Sequence, residues 1–215
     1  MIRQLERAIV SNQHAGRLLF NGVTGALGTF VQAARKRGRY ANYRDRYDVA
    51  PSFKFNGPGI TLYGDGDIVL GADSYVGRHT RIQSKGGNEV RIGANTAVSH
   101  FVFCYTQNRV ADQDMSRAKN RNDHLDVREG DVAIGDHCWI GAFTFVTEGT
   151  EIGDDTVVGA NAVVTDDLPP HAIATGAPAR VRQFKSHLDD GTAADLAASY
   201  ADVLTDDLAA EYGVD

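Results

Sequence analysis

Cysteine is scarce in this chain: its 215 residues include two, Cys104 and Cys138. Two cysteines make no disulfide framework, and there is no pair of the kind that holds structural zinc. Both fall where small interior side chains are expected, so they read as buried hydrophobes rather than nucleophiles. No unbroken apolar run approaches the ~20 residues of a membrane-spanning helix, and the N-terminus lacks a signal-peptide pattern. A cytoplasmic or cytoplasm-facing protein is the expectation. Basic residues are outnumbered, 22 Lys and Arg against 28 Asp and Glu, for a net charge of -6. That balance, without a helix-turn-helix or an aromatic single-strand surface, weighs against nucleic-acid binding. A phosphate-binding glycine loop between strand and helix is also missing.

What charge there is falls unevenly. Residues 1–50 carry nine Arg or Lys against three acidic residues, and 183–215 carry Lys185 against eight. Residues 2–19 suit an amphipathic helix, Asn21–Gly28 is glycine-rich enough to break it, and Thr29–Tyr40 resumes it as far as the basic run ARKRGRY. That run offers a peripheral contact with anionic lipid headgroups, or else a solvated face capping the next domain. Asn42–Pro58 reads as an irregular lead-in whose Tyr43, Tyr47, Phe53 and Phe55 cover the first coil. Beyond Lys185 the alanine-rich segment AADLAASYADVLTDDLAAEY predicts a terminal helix.

Between these ends a beat of six residues runs through Ile134, Ile140, Val146, Ile152, Val158 and Val164, with Gly135, Gly141, Gly153 and Gly159 directly after four of them. Neither a helix nor an alternating strand has that period; a solenoid of short flat sides does. The aliphatic residue points inward, and the glycine allows tight turning and close approach to the next coil. Upstream, Leu70, Val76 and Ile82, then Ile92, Val98 and Cys104, keep the same beat after a slip at Ser84–Glu89. With three hexads to a turn, three columns stack: Leu70, Ile92, Ile134 and Ile152; Val76, Val98, Ile140 and Val158; Ile82, Cys104, Val146 and Val164. Four turns result. The slip and the long polar interruption Tyr105–Asp131 leave the solenoid at one corner. A loop of that length in a compact domain reads as a lid, a binding loop or a disordered insertion.

The runs IGDHCWIG, IGDDTVVGANAVVTDDLPP and IATGAPARV resemble the hexapeptide-repeat acyltransferases, over about Gly57–Arg182. The resemblance implies a mainly β left-handed parallel β-helix, a triangular solenoid, at 57–182 with its excursion at 105–131. A helical and irregular N-terminal cap at 1–56 and an acidic C-terminal helical tail at 183–215 flank it. It further implies a homotrimer that takes acetyl-CoA as donor and acylates a sugar hydroxyl or amine, free or nucleotide-linked, with cell-surface polysaccharide biosynthesis as one setting. On the matching positions Trp139, Gly141 and Ala142, and one turn on Gly159, Ala160 and Thr165, line the pantetheine arm. Arg180, Arg182 and Lys185 meet the adenosine phosphates.

Transfer from a thioester needs a base poised near neutral pH, and histidine is suited to it. Of seven histidines, His14 and His187 lie towards the ends, and His79, His137 and His171 at turns of the repeat. His100 stands a few residues before the long excursion and His124 lies inside it; these are the candidate bases. Sugar acetyltransferases of the family carry their histidine after a segment like IYTATH, where this chain reads CYTQNRV and places Gln107, Asn108 and Arg109. So His100 substitutes, or the loop delivers His124, or transfer has been lost and the trimer is a silent binding module. A carbonic-anhydrase-like metal enzyme built from His79, His100, His124 and His137 is the remaining alternative; its local His-x4-His signature is missing, and no metal site is assigned.

Overall fold

The computed structural model describes residues 13–117 and 125–214, in two units, 1–43 and 44–215. The second unit is a parallel β-solenoid with three faces. The first face stacks Asp48–Val49, Asp67–Leu70, Glu89–Ile92, Val132–Ile134 and Glu151–Ile152. The second stacks Lys54–Asn56, Tyr75–Gly77, Ala97–Val98, Trp139–Ile140, Val157–Val158 and Ala172–Thr175, closed by the antiparallel Arg180–Phe184. The third stacks Thr61–Gly64, Arg81–Ser84, Phe103–Tyr105, Phe145–Val146 and Val163–Val164.

The three columns expected from the six-residue beat are the registers observed. Leu70 pairs with Ile92, Ile92 with Ile134, and Ile134 with Ile152 on the first face. Val76, Val98, Ile140 and Val158 align on the second, and Ile82, Cys104, Val146 and Val164 on the third. All twelve are buried. Each buried aliphatic side chain contributes on the order of 1.5–3 kcal/mol, so the columns are the main source of stability. There are five coils rather than four. The extra one is Asp48–Gly64, whose first part was expected within the irregular lead-in Asn42–Pro58; Phe53 in it and Tyr47 just before it are core residues instead of a cover.

The corners divide labour between two positions. The repeat glycines have ordinary φ; the left-handed residue stands two places later, at Asn95, His137, Asp155 and His171 on one corner and Phe101, Phe143 and Asn161 on the next. The cost of that conformation is offset by a bond from each such amide to the coil below, as His137 N to Ala94 O at 2.9 Å and Phe143 N to His100 O at 3.1 Å. What requires glycine is approach: a Cβ on Gly141 would run into the backbone of Gly159 and Ala160, and one on Gly153 into Pro170. Inside the first corner a hydroxyl ladder climbs from coil to coil. Ser74, Thr96 and Thr156 donate to Gly93 O, Gly135 O and Pro169 O at 2.6–2.7 Å. Cys138 fills the remaining rung, its Sγ 3.2 Å from Gly153 O.

Two helical expectations need correction. Helix α1, Gln13–Arg46, runs unbroken through Asn21–Gly28. A glycine costs a helix roughly 1 kcal/mol against alanine, so Gly22, Gly25 and Gly28 weaken this 34-residue element without ending it. Residues 2–12 lie outside the described part. The C-terminal tail is two short helices rather than one: α2, Asp190–Ser199, capped by Asp189, and α3, Asp206–Tyr212. Leu204 breaks them apart by bridging to Val181 as a strand would, so the tail packs on its own solenoid.

Candidate active site

The residues expected to hold the donor fall in two places. Gly141–Ala142 and Gly159–Ala160 turn the corner between the second and third faces, and His100 occupies the matching position one coil below Ala142. Trp139 stands beside them on the second face, 56 % exposed, its indole N–H 3.4 Å from Ser99 Oγ. Phe143, also 56 % exposed, stacks on Phe101 at 4.8 Å, and Phe101 on His79 at 4.9 Å. Thr165 does not join this group; it follows the third face at the opposite corner. Among the described residues, His79 and His100 share a corner and His137 is on another. His124 lies outside the described residues.

The setting of His100 determines its tautomer. The backbone amide of Arg78 donates to its Nδ1 at 3.1 Å, and a Cβ at Gly77 would occupy the space the ring uses. A backbone N–H can only donate, so Nδ1 carries the lone pair and the neutral ring bears its proton on Nε2. In this arrangement the accessible nitrogen is a donor.

At the other end of the third face the long excursion begins as an antiparallel ladder, Gln107–Arg109 against Val127–Glu129, with Asn108 opposite Arg128. Beneath it are two adjoining cavities of about 670 and 380 Å³, and Asn108 and Val127 line both. The larger adds Glu129, Phe145, Glu148 and Thr165; the smaller adds Gln83, Lys85, Tyr105 and Arg109. Asn108 donates its side-chain amide to Glu148 Oε2, and Gln107 donates to Glu129 Oε2 at 3.1 Å. Gln83 is buried, and its Oε1 has no hydrogen-bond partner among the described residues. Burial and the adjacent Tyr63 push the Tyr105 phenol up, so it remains a protonated donor at neutral pH.

The basic exit does not converge. Arg180 pairs with Asp166 at 3.0 Å, Lys185 with Asp155, and Arg182 bonds Thr175 Oγ1 at 3.2 Å with no acidic partner among the described residues. The cysteines are unavailable for covalent chemistry: burial pushes the thiols of Cys104 and Cys138 up to about 12 and about 11. The residues that sequence reasoning missed are Gln83, Tyr105, Glu129 and Glu148. Glu148 lies 40 residues from Asn108 and meets it only because one coil stacks on another; no local signal announces that pairing.

Residues 131–166 match the family of bacterial transferase hexapeptide (six repeats). The chain is 30% identical over 159 residues to a chloramphenicol acetyltransferase of Morganella morganii, covering 72% of this chain and 69% of that protein. The chain belongs to the hexapeptide-repeat acetyltransferase family. A galactoside O-acetyltransferase of Escherichia coli K12 is 44% identical over 50 residues, which take in 23% of this chain and 25% of that protein, so only a quarter of its length is spanned. Among solved structures, the hexapeptide-repeat-containing acetyltransferase VCA0836 of Vibrio cholerae O1 biovar eltor, complexed with acetyl coenzyme A, superposes with a TM-score of 0.54. It is 22% identical, over 69% of this chain and 77% of that one, and supports the fold alone. Within the family's frame, this chain has Gln107, Asn108 and Arg109 where a histidine is expected, and the middle one of the three is bonded to a carboxylate.

Proposed function

We propose that this chain transfers an acetyl group from acetyl-CoA to a hydroxyl, or less favourably an amine, of a sugar, as part of cell-surface polysaccharide assembly. One observation carries the reading: Asn108, one of the three residues standing where the family's histidine is expected, donates to Glu148 at the cavity under the excursion. Glu148 is the base. Its carboxylate takes the acceptor proton while the acceptor oxygen attacks the thioester carbonyl carbon. Collapse of the tetrahedral intermediate breaks the carbon–sulfur bond, and the coenzyme A thiolate recovers the proton from Glu148. A backbone amide stabilises the oxyanion between the two steps.

The two ends of the third face then have separate roles. Trp139, Gly141, Ala142, Gly159 and Ala160 form the donor wall, with His100 presenting Nε2–H to a pantetheine carbonyl. Thr165 moves to the acceptor side. Of the exit cations, Arg182 is the one without a competing carboxylate, and so the principal contact for the adenosine phosphates. Hydroxyl, amide and charged groups around Gln83, Lys85, Tyr105 and Gln107 suit a polyhydroxylated acceptor, and the unpartnered Gln83 Oε1 favours a ligand that donates. The protein acts as a homotrimer in the cytoplasm, with the donor groove between neighbouring solenoids. Sedimentation equilibrium is expected to give a trimer, and a persistent monomer removes that groove.

The function is tested by release of free coenzyme A thiol with a panel of free and nucleotide-linked sugars. Acceptor-dependent release with a stoichiometric acetylated product is expected. Absence of both transfer and calorimetric binding of acetyl-CoA contradicts it and leaves a silent trimeric module.

A further inference from the structure

Away from that site, Asp155, His171 and His187 converge where the last coil meets the start of the tail. His171 Nδ1 lies 3.0 Å and His187 Nε2 3.3 Å from the same oxygen, Asp155 Oδ2. The three ligand atoms lie within 4.8 Å of one another, and the imidazoles meet edge to face with centroids 5.5 Å apart. The geometry points to a divalent transition-metal site of the zinc class, formed by two imidazoles and one carboxylate, that clamps the tail to the solenoid.

Three features support this assignment. First, the donor set is that of mononuclear zinc sites with three protein ligands and an open fourth position, and imidazole selects this metal class over calcium or magnesium. Second, the ligands are held before any ion arrives. Asp155 and His171 are both left-handed corner residues, with amides bonded to Asp136 O at 2.7 Å and Asp154 O at 2.8 Å. Lys185 N donates to His171 O at 2.8 Å, which brings the turn carrying His187 to the same corner. Third, both imidazole nitrogens lie within 3.3 Å of the same carboxylate oxygen, Asp155 Oδ2.

Lys185 is the natural competitor. Its ammonium bonds Asp155 Oδ1 and leaves Oδ2 to the imidazoles, so the carboxylate can bind a metal through one oxygen while the lysine keeps the other. Without metal, Lys185 and any protonated histidine satisfy Asp155. With metal, both imidazoles are neutral ligands and the tail is fixed by coordination, so binding raises the melting temperature by linkage.

The test is competition between the untagged, chelator-treated full chain and a chromogenic chelator for Zn²⁺ alone, with thermal melts in parallel. One zinc per chain and a zinc-dependent rise in Tm are expected. His187 is 58 % exposed, so His187→Ala leaves folding intact, which circular dichroism verifies. Since outer-shell partners alone shift metal affinity about 10–100-fold, His187→Ala and His171→Ala are each expected to weaken zinc by at least about tenfold. His79→Ala, at another corner, leaves it unchanged, and Lys185→Gln strengthens it by removing the competing cation. Zinc that fails to bind at one per chain, or that binds equally well in the His187→Ala and His171→Ala variants, overturns the site.

Discussion

At the scale of single residues, environment decides which reactive groups are available. Cys104 and Cys138 are the strongest intrinsic nucleophiles in the chain, yet burial disfavours both thiolates, and at Cys138 it outweighs the backbone N–H of Thr156 and the charge of Lys185. Cys104 is an inward member of an aliphatic column, and Cys138 is a rung of the hydroxyl ladder with its S–H aimed at Gly153 O. With burial raising both thiols to about 12 and about 11, the thiolate fraction at neutral pH is negligible. Native protein is therefore expected to resist an aromatic disulfide reagent at pH 7.5, with two thiols appearing only in denaturant. Rapid modification of the native protein would show that one of these positions opens. The same reasoning separates His100 from Glu148. Arg78 N–H occupies the lone pair of the imidazole, whereas Glu148 accepts from Asn108 through one oxygen and retains further lone pairs for a substrate proton.

At the scale of elements, the six-residue beat was readable because every inward position repeats with little sequence noise between Ile134 and Val164. Ile152 illustrates the consequence. It is 1% exposed, pairs with Ile134 and bridges to Leu168 on the following coil. Ile152→Asp places a carboxylate there with no partner and is expected to cost more than about 3 kcal/mol, read as a lowered denaturation midpoint. An unchanged midpoint contradicts the inward assignment. The first coil is less readable: Val49, Phe55 and Leu62 stand under the three columns, so one position is aromatic and the spacing slips to seven between the last two. Helix α1 departs from the sequence expectation for an energetic reason: five glycines in 34 residues weaken a helix without ending it. Leu204 broke the tail because bridging to Val181 satisfied backbone groups that a continued helix would also have satisfied. The corner glycines were readable as a need for closeness; that the left-handed turn falls two residues later was not.

At the scale of the whole molecule, the solenoid is a device for bringing distant sequence into contact at fixed spacing. Excursions leave at the corner after the third face, at Gly64–Gly66, Lys85–Asn88 and Thr106–Asp131, so the strands beside that corner carry the variable chemistry. Family membership was legible from the tandem hexads. The proposed reacting groups were not, because Asn108 and Glu148 belong to different coils and Gln107, Asn108 and Arg109 stand where the histidine is expected. In the proposed mechanism a carboxylate has taken over the proton transfer. This is tested most directly by comparing Glu148→Gln and His100→Ala for steady-state transfer and for acetyl-CoA affinity. Glu148→Gln keeps the shape and is expected to lower kcat by ~10²–10⁴-fold with donor affinity intact. His100→Ala is expected to weaken donor binding while sparing kcat. Full turnover by the Glu148→Gln protein, or a collapse of kcat confined to His100→Ala, contradicts the account and returns the base to the imidazole.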